Sequence, residues 1–278
     1  LEPDMPLNVI ILGCGSSGGV PRVGGDWGVC NPKEPKNRRR RCSILVDYWQ
    51  EGKIPHPKDR TRILVDTAPD LREQLIDANV KHLDAVLFTH EHADQTHGID
   101  DIRALAYRMQ KKLPAYMDEH AKTHILQKFG YCFEMPKGRV HPPILDLQPL
   151  LKPADEISIT GPGGAINIKA IGLSHGPTPV LGFIFDTKLA YTPDVWDITE
   201  DILAQDLSDM RVWIVDALRY NTHPTHAHAD KCLSWIAKTR TRKAVLTNLH
   251  IDMDYQTLSN ELLGDHEAAY DKMALQIA

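Results

Sequence analysis

The stretch Thr89-His90-Glu91-His92-Ala93-Asp94-Gln95-Thr96-His97-Gly98 comes directly after the apolar run Ala85-Val86-Leu87-Phe88. An extended segment sends alternate side chains the same way, so His90 and His92 can face one point. Asp94 adds a carboxylate two residues on. Imidazoles with a carboxylate suit zinc, manganese or iron. Polar surface turns seldom hold His-x-His-x-Asp behind an apolar strand, so the stretch reads as metal-ligating.

Working outward, short runs rich in Val and Ile recur at 8–12, 43–48, 62–66, 85–89, 166–173, 181–185, 212–217 and 244–249. Each ends near Gly, Pro, Asp or His, as buried strands do. Helical spacing lies between them. Residues 69–79 carry Leu71, Leu75 and Ile76 on one face, and 101–112 carry Ile102, Leu105, Ala106 and Met109. Residues 225–239 carry Cys232, Leu233 and Ile236 with Thr225 as N-cap, and 255–263 is a weaker fourth helix. Strands outnumber helices and the two mix throughout, which predicts a layered α/β protein with helices outside strand-rich sheets. No composition break divides the chain, so 1–278 is expected to form a single domain. The Pro-rich stretch 137–153 and the Gly-rich stretch 161–164 read as a linker or as a loop crossing between two halves, and 50–60 reads as a polar hairpin tip.

The 278 residues carry 32 Lys+Arg and 37 Asp+Glu, a formal net charge of −5. That balance argues against a protein that coats nucleic acid non-specifically. Composition is ordinary for a globular chain, and mean hydropathy is −0.32. No stretch approaches the roughly 18 consecutive apolar residues of a membrane helix, so no membrane partner is expected. Five scattered cysteines and no evident leader at Leu1–Leu7 point to a reducing, cytoplasmic location; Met5 is a candidate start. Cys14, Cys30 and Cys42 are expected as free thiols, since no Cys-x-x-Cys pair is present. The run Arg38–Arg41 reads as a solvated strand edge, and 13–19 as a tight turn rather than a phosphate loop.

The 89–98 stretch resembles the His-x-His-x-Asp-His motif of metallo-β-lactamase fold hydrolases, with Gln95 where that family carries a second-metal histidine. Further landmarks follow in family order: Leu64-Val65-Asp66-Thr67, Gly172-Leu173-Ser174-His175-Gly176, Leu189-Ala190-Tyr191-Thr192-Pro193-Asp194 and Leu246-Thr247-Asn248-Leu249-His250. The resemblance covers roughly residues 8–255. It implies a four-layer αββα sandwich with the site at the strand ends. It also implies that His90, His92 and His175 hold one ion, Asp94 and His250 a second, and Asp194 bridges both. One or two zinc or manganese ions per chain are therefore expected, the second held weakly because of Gln95.

Gly13-Cys14-Gly15-Ser16-Ser17-Gly18-Gly19-Val20-Pro21, Gly98-Ile99-Asp100-Asp101-Ile102-Arg103 and Asn248-Leu249-His250-Ile251-Asp252-Met253-Asp254-Tyr255 are similar to PhnP-type phosphodiesterases. By that resemblance the substrate is a small or cyclic ribose phosphodiester. An RNA-processing nuclease, or a carbonyl hydrolase of the lactamase or thioesterase kind, stands as the alternative. Nucleic acid is an unexpected partner, because no long basic arm is present, and a homodimer is possible. The segment Thr222-His223-Pro224-Thr225-His226-Ala227-His228 opens the 225–239 helix. In the family a histidine there contacts phosphate or protonates the leaving oxygen, which makes His226 and, after it, His223 catalytic candidates alongside Asp94.

Overall fold

The computed structural model describes residues 7–49, 56–135, 137–138 and 140–277. The first sheet has seven strands: β1 (Leu7–Gly13), β2 (Ser43–Tyr48), β3 (Thr61–Val65), β4 (Ala85–Leu87), β5 (Leu113–Tyr116), β6 (Leu145–Leu147) and, beside β1, the last strand β14 (Ala274–Ile277). The second holds β7 (Glu156–Gly161), β8 (Gly164–His175), β9 (Thr178–Phe185), β10 (Leu189–Thr192), β11 (Val212–Asp216), β12 (Lys243–Thr247) and β13 (Glu267–Ala268), in reverse spatial order.

Side chains alternate in direction along these largely apolar strands, and that alternation builds the layers. In β1, β2 and β3, Val9, Ile11, Ile44, Val46, Ile63 and Val65 meet Ile166, Phe183, Phe185, Tyr191 and Ile214 of the second sheet. Their neighbours Leu45 and Leu64 point the other way. They pack under α1 (Leu71–Asp77), α3 (Arg103–Met109) and α4 (Glu119–Phe129) through Leu71, Leu75, Ala106 and Ile125; the short α2 (Ala93–Thr96) lies in the loop after β4. On the far side, Trp213, Val215 and Leu246 pack under α5 (Glu200–Gln205), α6 (Ala229–Thr239) and α7 (Tyr255–Glu261) through Leu203, Cys232, Ile236 and Leu258. Central strands buried on both faces, with helices outside each sheet, yield αββα, as expected. Each fully buried Leu, Ile or Phe contributes about 1.5–3 kcal/mol through apolar transfer.

The departures from the sequence-based elements have local causes. Helix α6 begins at Ala229 with His228 as its N-cap, so Thr225 is not the cap and His226 lies in the preceding loop. That loop is tied instead to the strand ends, by Ala227 N–H donating to Val195 O and Leu218 N–H donating to Ala227 O. Strands β5, β6, β7, β13 and β14 are two to six residues long and only partly covered, too short for a clear period. Helix α4 buries only Ala121 and Ile125. The 137–153 stretch carries β6 and then leads into β7, so it crosses between the sheets, and residues 161–164 form the tight β7–β8 turn. Of the expected hairpin tip, 50–55 lie outside the described residues, as does most of 1–7. The arginine run is not a solvated edge: Arg39 is buried, donating to Asn37 Oδ1 and Met253 O, and Arg41 pairs with Asp70.

Candidate functional site

Strands β3 and β4 run parallel in one sheet, and β10, β11 and β12 in the other. Parallel neighbours bring their C-terminal ends to one edge, where connecting loops carry function. Three residues just past these ends, Asp66, Asp194 and Asn248, have φ of 63°, 50° and 62°. Asp and Asn tolerate that left-handed backbone better than most residues. The turn lets each strand finish with a side chain directed into the edge. Gly98 closes the metal-ligating stretch against the β3 loop: a Cβ there would lie 2.0 Å from Ala68 O, a contact only glycine avoids.

Asp66 is fully buried and accepts from Thr89 N at 2.8 Å and from Thr89 Oγ1 at 2.9 Å. Thr89 Oγ1 in turn lies 3.0 Å from His90 Nδ1. With its hydroxyl proton given to Asp66, Thr89 accepts from Nδ1–H and leaves His90 Nε2 unprotonated. That Nε2 is buried and has no hydrogen-bond partner. His175 ends β8 and lies across the edge, its Nδ1 2.6 Å from Thr225 O, so the same tautomer is set. The rings of His90, His92 and His175 lie 4.6–5.5 Å apart by centroid. One ligating nitrogen from each falls within 4.8 Å of the others. Burial, reinforced by neighbouring imidazoles, holds His90 well below the ordinary histidine range and His175 at about 4. Neutral imidazoles with free Nε2 atoms are the form a metal requires. The orphaned Nε2 of His90 therefore fits a divalent ion at this point.

A second cluster joins His175 to Asp194 and His226. The His226 ring lies 4.5 Å from that of His175, and its Nδ1 lies 2.8 Å from Asp216 Oδ2 and 3.9 Å from Asp194 Oδ1. Burial works against charging His226, but Asp216, Asp194 and Asp94 outweigh it and lift it to about 9. His223 is half-buried, 5.0 Å from His226 by ring centroid, and its Nδ1 accepts from Thr225 N. Asp94 is close enough to raise Asp194, and itself feels His92, His226 and Arg41, but it joins neither cluster.

His250 is not brought to these clusters among the described residues. Its Nε2 meets the Arg22 guanidinium and its Nδ1 lies 2.9 Å from Asp252 Oδ2, so both ring nitrogens face protein groups. Gln95 is fully buried and donates from Nε2 to Asp194 Oδ2 at 2.8 Å. Of the residues expected to hold a second ion, His250 is thus engaged by Arg22 and Asp194 by Gln95, an arrangement that does not fit it. His97 packs on Phe129 instead of entering the site. Cys14, Cys30 and Cys42 are buried free thiols that join no metal-ligating group among the described residues.

Residues 61–251 match the family model described as the beta-lactamase superfamily domain, more than half of the chain. The chain belongs to the beta-lactamase superfamily. Within that superfamily it has the metallo-hydrolase fold. It is similar to a crystallised diphosphatase from the PhnP family, at 28% identity over 98% of this chain and 97% of that one, with a TM-score of 0.84. It shares its fold with zinc-bound PqqB from Methylobacterium extorquens, at 16% identity, 96% and 99% coverage and a TM-score of 0.68. It is also 30% identical over 271 residues to a Porphyromonas gingivalis protein named octanoyltransferase, covering 95% of this chain and 50% of that protein. The chain thus spans about half the length of that curated relative.

Two site residues of this superfamily member escaped the sequence-based assignment. Asp216 ends β11 and was visible only as the polar end of an apolar run. Thr89 was given no role, because its partner Asp66 is 23 residues away in sequence. No helix among the described residues is long and apolar enough to cross a membrane.

Proposed function

We propose that the protein is a metal-dependent phosphodiesterase acting on a small or cyclic phosphodiester. The observation that carries this is the His226–Asp216 pair seated against the His175 imidazole. His90, His92, His175 and Asp194 are the residues that would hold a divalent ion, zinc or manganese. Such an ion supplies Lewis acidity and a water of lowered pKa when bound. Asp216 holds His226 through Nδ1, so Nε2 is the nitrogen that exchanges a proton with substrate. An alkoxide leaving group needs that proton, whereas a thiolate, a much weaker base, needs it less. Arg22, beside Gly18 in the 13–19 loop, gives an anionic substrate its counter-charge. Asp94 adds negative charge beside His226. Similarity to the PhnP-family diphosphatase supports phosphoester chemistry; the name of the Porphyromonas relative keeps acyl chemistry as the alternative to exclude.

The test is a substrate panel with purified protein, supplied with zinc or manganese and again after chelation. It holds bis(p-nitrophenyl) phosphate, a 2′,3′-cyclic nucleotide, a diphosphate diester, nitrocefin and an octanoyl thioester. Chelator-sensitive turnover of the phosphoesters alone is expected. Turnover confined to nitrocefin or the thioester would overturn the proposal.

A further inference from the structure

The metal-ligating stretch contains a side chain that the hydrolytic site does not use. Glu91 lies between His90 and His92, and its carboxylate reaches α4, with Oε1 also 3.9 Å from His92 Nε2. It is 8% exposed, and its Oε2 is buried with no hydrogen-bond partner. Facing it on α4 are His120 and His124, one turn apart, with ring centroids 4.5 Å from each other. His120 Nε2 lies 3.3 Å from Glu91 Oε1. His124 Nδ1 lies 2.9 Å from His120 O, which leaves its Nε2 as a free ligand atom in the neutral tautomer. One donor atom from each of the three residues falls within 4.8 Å of the others.

We propose that Glu91, His120 and His124 form an accessory zinc-type site, distinct from the His90–His92–His175 cluster and sharing no residue with it. Two histidines four apart on a helix share one face, a spacing that binds zinc when a carboxylate completes the set. Two imidazoles and a carboxylate are an established zinc donor set with an open fourth position. Here the half-buried rim leaves room for water in that position: the His120 side chain is 38% exposed. A plain histidine–glutamate hydrogen bond accounts for Oε1 only. It leaves Oε2 of a buried carboxylate without a partner, which is costly, and a divalent cation removes that cost. The site joins α4 to the metal-ligating loop, so its ion staples a helix of the first outer layer to the strand-end edge. The proposal is independent of the hydrolytic reaction assigned above.

Apo protein is dialysed against zinc, and bound metal is counted by inductively coupled plasma mass spectrometry. Wild type, His90→Ala, His124→Ala and His120→Ala are compared after a circular dichroism check of folding. His124→Ala and His120→Ala each bind one equivalent less than wild type, with affinity for that ion down by more than about tenfold. His90→Ala loses a different equivalent. Zinc raises Tm in His90→Ala through the accessory site, and this rise shrinks in a His90→Ala/His124→Ala double variant. Cobalt titration provides a second readout, through visible bands lost in the His124 and His120 variants. Wild-type zinc stoichiometry and cobalt spectra in both α4 variants would overturn the site. Loss of metal in His90→Ala alone would leave the hydrolytic centre standing without it.

Discussion

Gln95 donates its side-chain amide to Asp194 across 2.8 Å, joining the loop after β4 to the end of β10. An amide N–H on a carboxylate oxygen occupies a lone pair that a bridging ligand would direct at a second ion. Asn248 Nδ2 lies 3.3 Å from the other oxygen, Asp194 Oδ1. Neutral amide donors thus hold both oxygens of a buried carboxylate, yet burial and the nearby Asp94 still push it up to about 8.

Restoring a histidine at position 95 is therefore not sufficient for a second ion in the hydrolytic site. Arg22 still holds His250 Nε2 and contributes a positive charge there. Gln95→His alone is expected to leave metal stoichiometry unchanged, whereas Gln95→His/Arg22→Ala adds close to one equivalent. Elemental analysis after dialysis decides it, and a full added equivalent in Gln95→His would contradict the role given to Arg22.

His226 and Asp216 should fail together, and in a way that depends on the leaving group. General acid assistance is worth roughly 10²–10⁴ in rate. His226→Ala should lose about that much kcat on an alkyl or cyclic ribose ester and far less on a p-nitrophenyl ester, whose leaving group needs little protonation. Asp216→Asn should show the same leaving-group dependence to a smaller extent, because it acts through the orientation of His226. Equal losses on both substrates would assign His226 to phosphate binding.

Asp66 supports the site from beneath. Its two oxygens accept from the backbone and hydroxyl of Thr89. Asp66→Ala removes both acceptors and places alanine at a φ of 63°. A buried N–H left unsatisfied costs about 1–3 kcal/mol. Denaturant unfolding should show a loss of at least that size, together with weaker metal retention, while Asp66→Asn should lose less. A variant as stable as wild type would remove the Asp66–Thr89 pair from the support of His90.

Asp254 offers a pH test away from the metal-ligating groups. It caps α7 by accepting from Thr257 N, and it also accepts from Asn31 N and Asn37 Nδ2. Partial burial opposes its ionisation, but these donors prevail and hold it at about 2. A carboxylate lowered on folding stabilises the native state above its unfolded pKa of about 3.9, and the contribution fades as pH falls toward 2. Asp254→Ala should cost about 1 kcal/mol at pH 7, the usual worth of such a cap. The gap between variant and wild type in urea unfolding should narrow steadily below pH 4; a pH-independent gap would mean the carboxylate charge plays no part.

How much of this was legible without coordinates differs from residue to residue. Strand β2 is read to the residue, because Ser-Ile-Leu-Val-Asp-Tyr is a short, largely apolar run and needs no distant partner to be recognised. His90 and His92 are legible for the same reason, since their spacing is a property of one extended segment. A layered α/β protein with outer helices also follows from local patterning, whereas the four-layer αββα form is implied by the resemblance to metallo-β-lactamase fold hydrolases. What the chain by itself could not decide were encounters across long separations. Whether His250 meets a metal or Arg22 depends on a residue 228 positions away. His226 appeared to start a helix, yet the backbone bonds of its neighbour Ala227 with Val195 and Leu218 keep it in a loop, paired with Asp216. His120 and His124 display a helical spacing in the sequence, but Glu91 becomes their partner only when α4 packs beside β4. Periodicity and ligand spacing are set by a few covalently linked residues, so sequence determines them. Which side chains share a site is set by sheet register and by what burial leaves unpaired, and tertiary structure alone decides that.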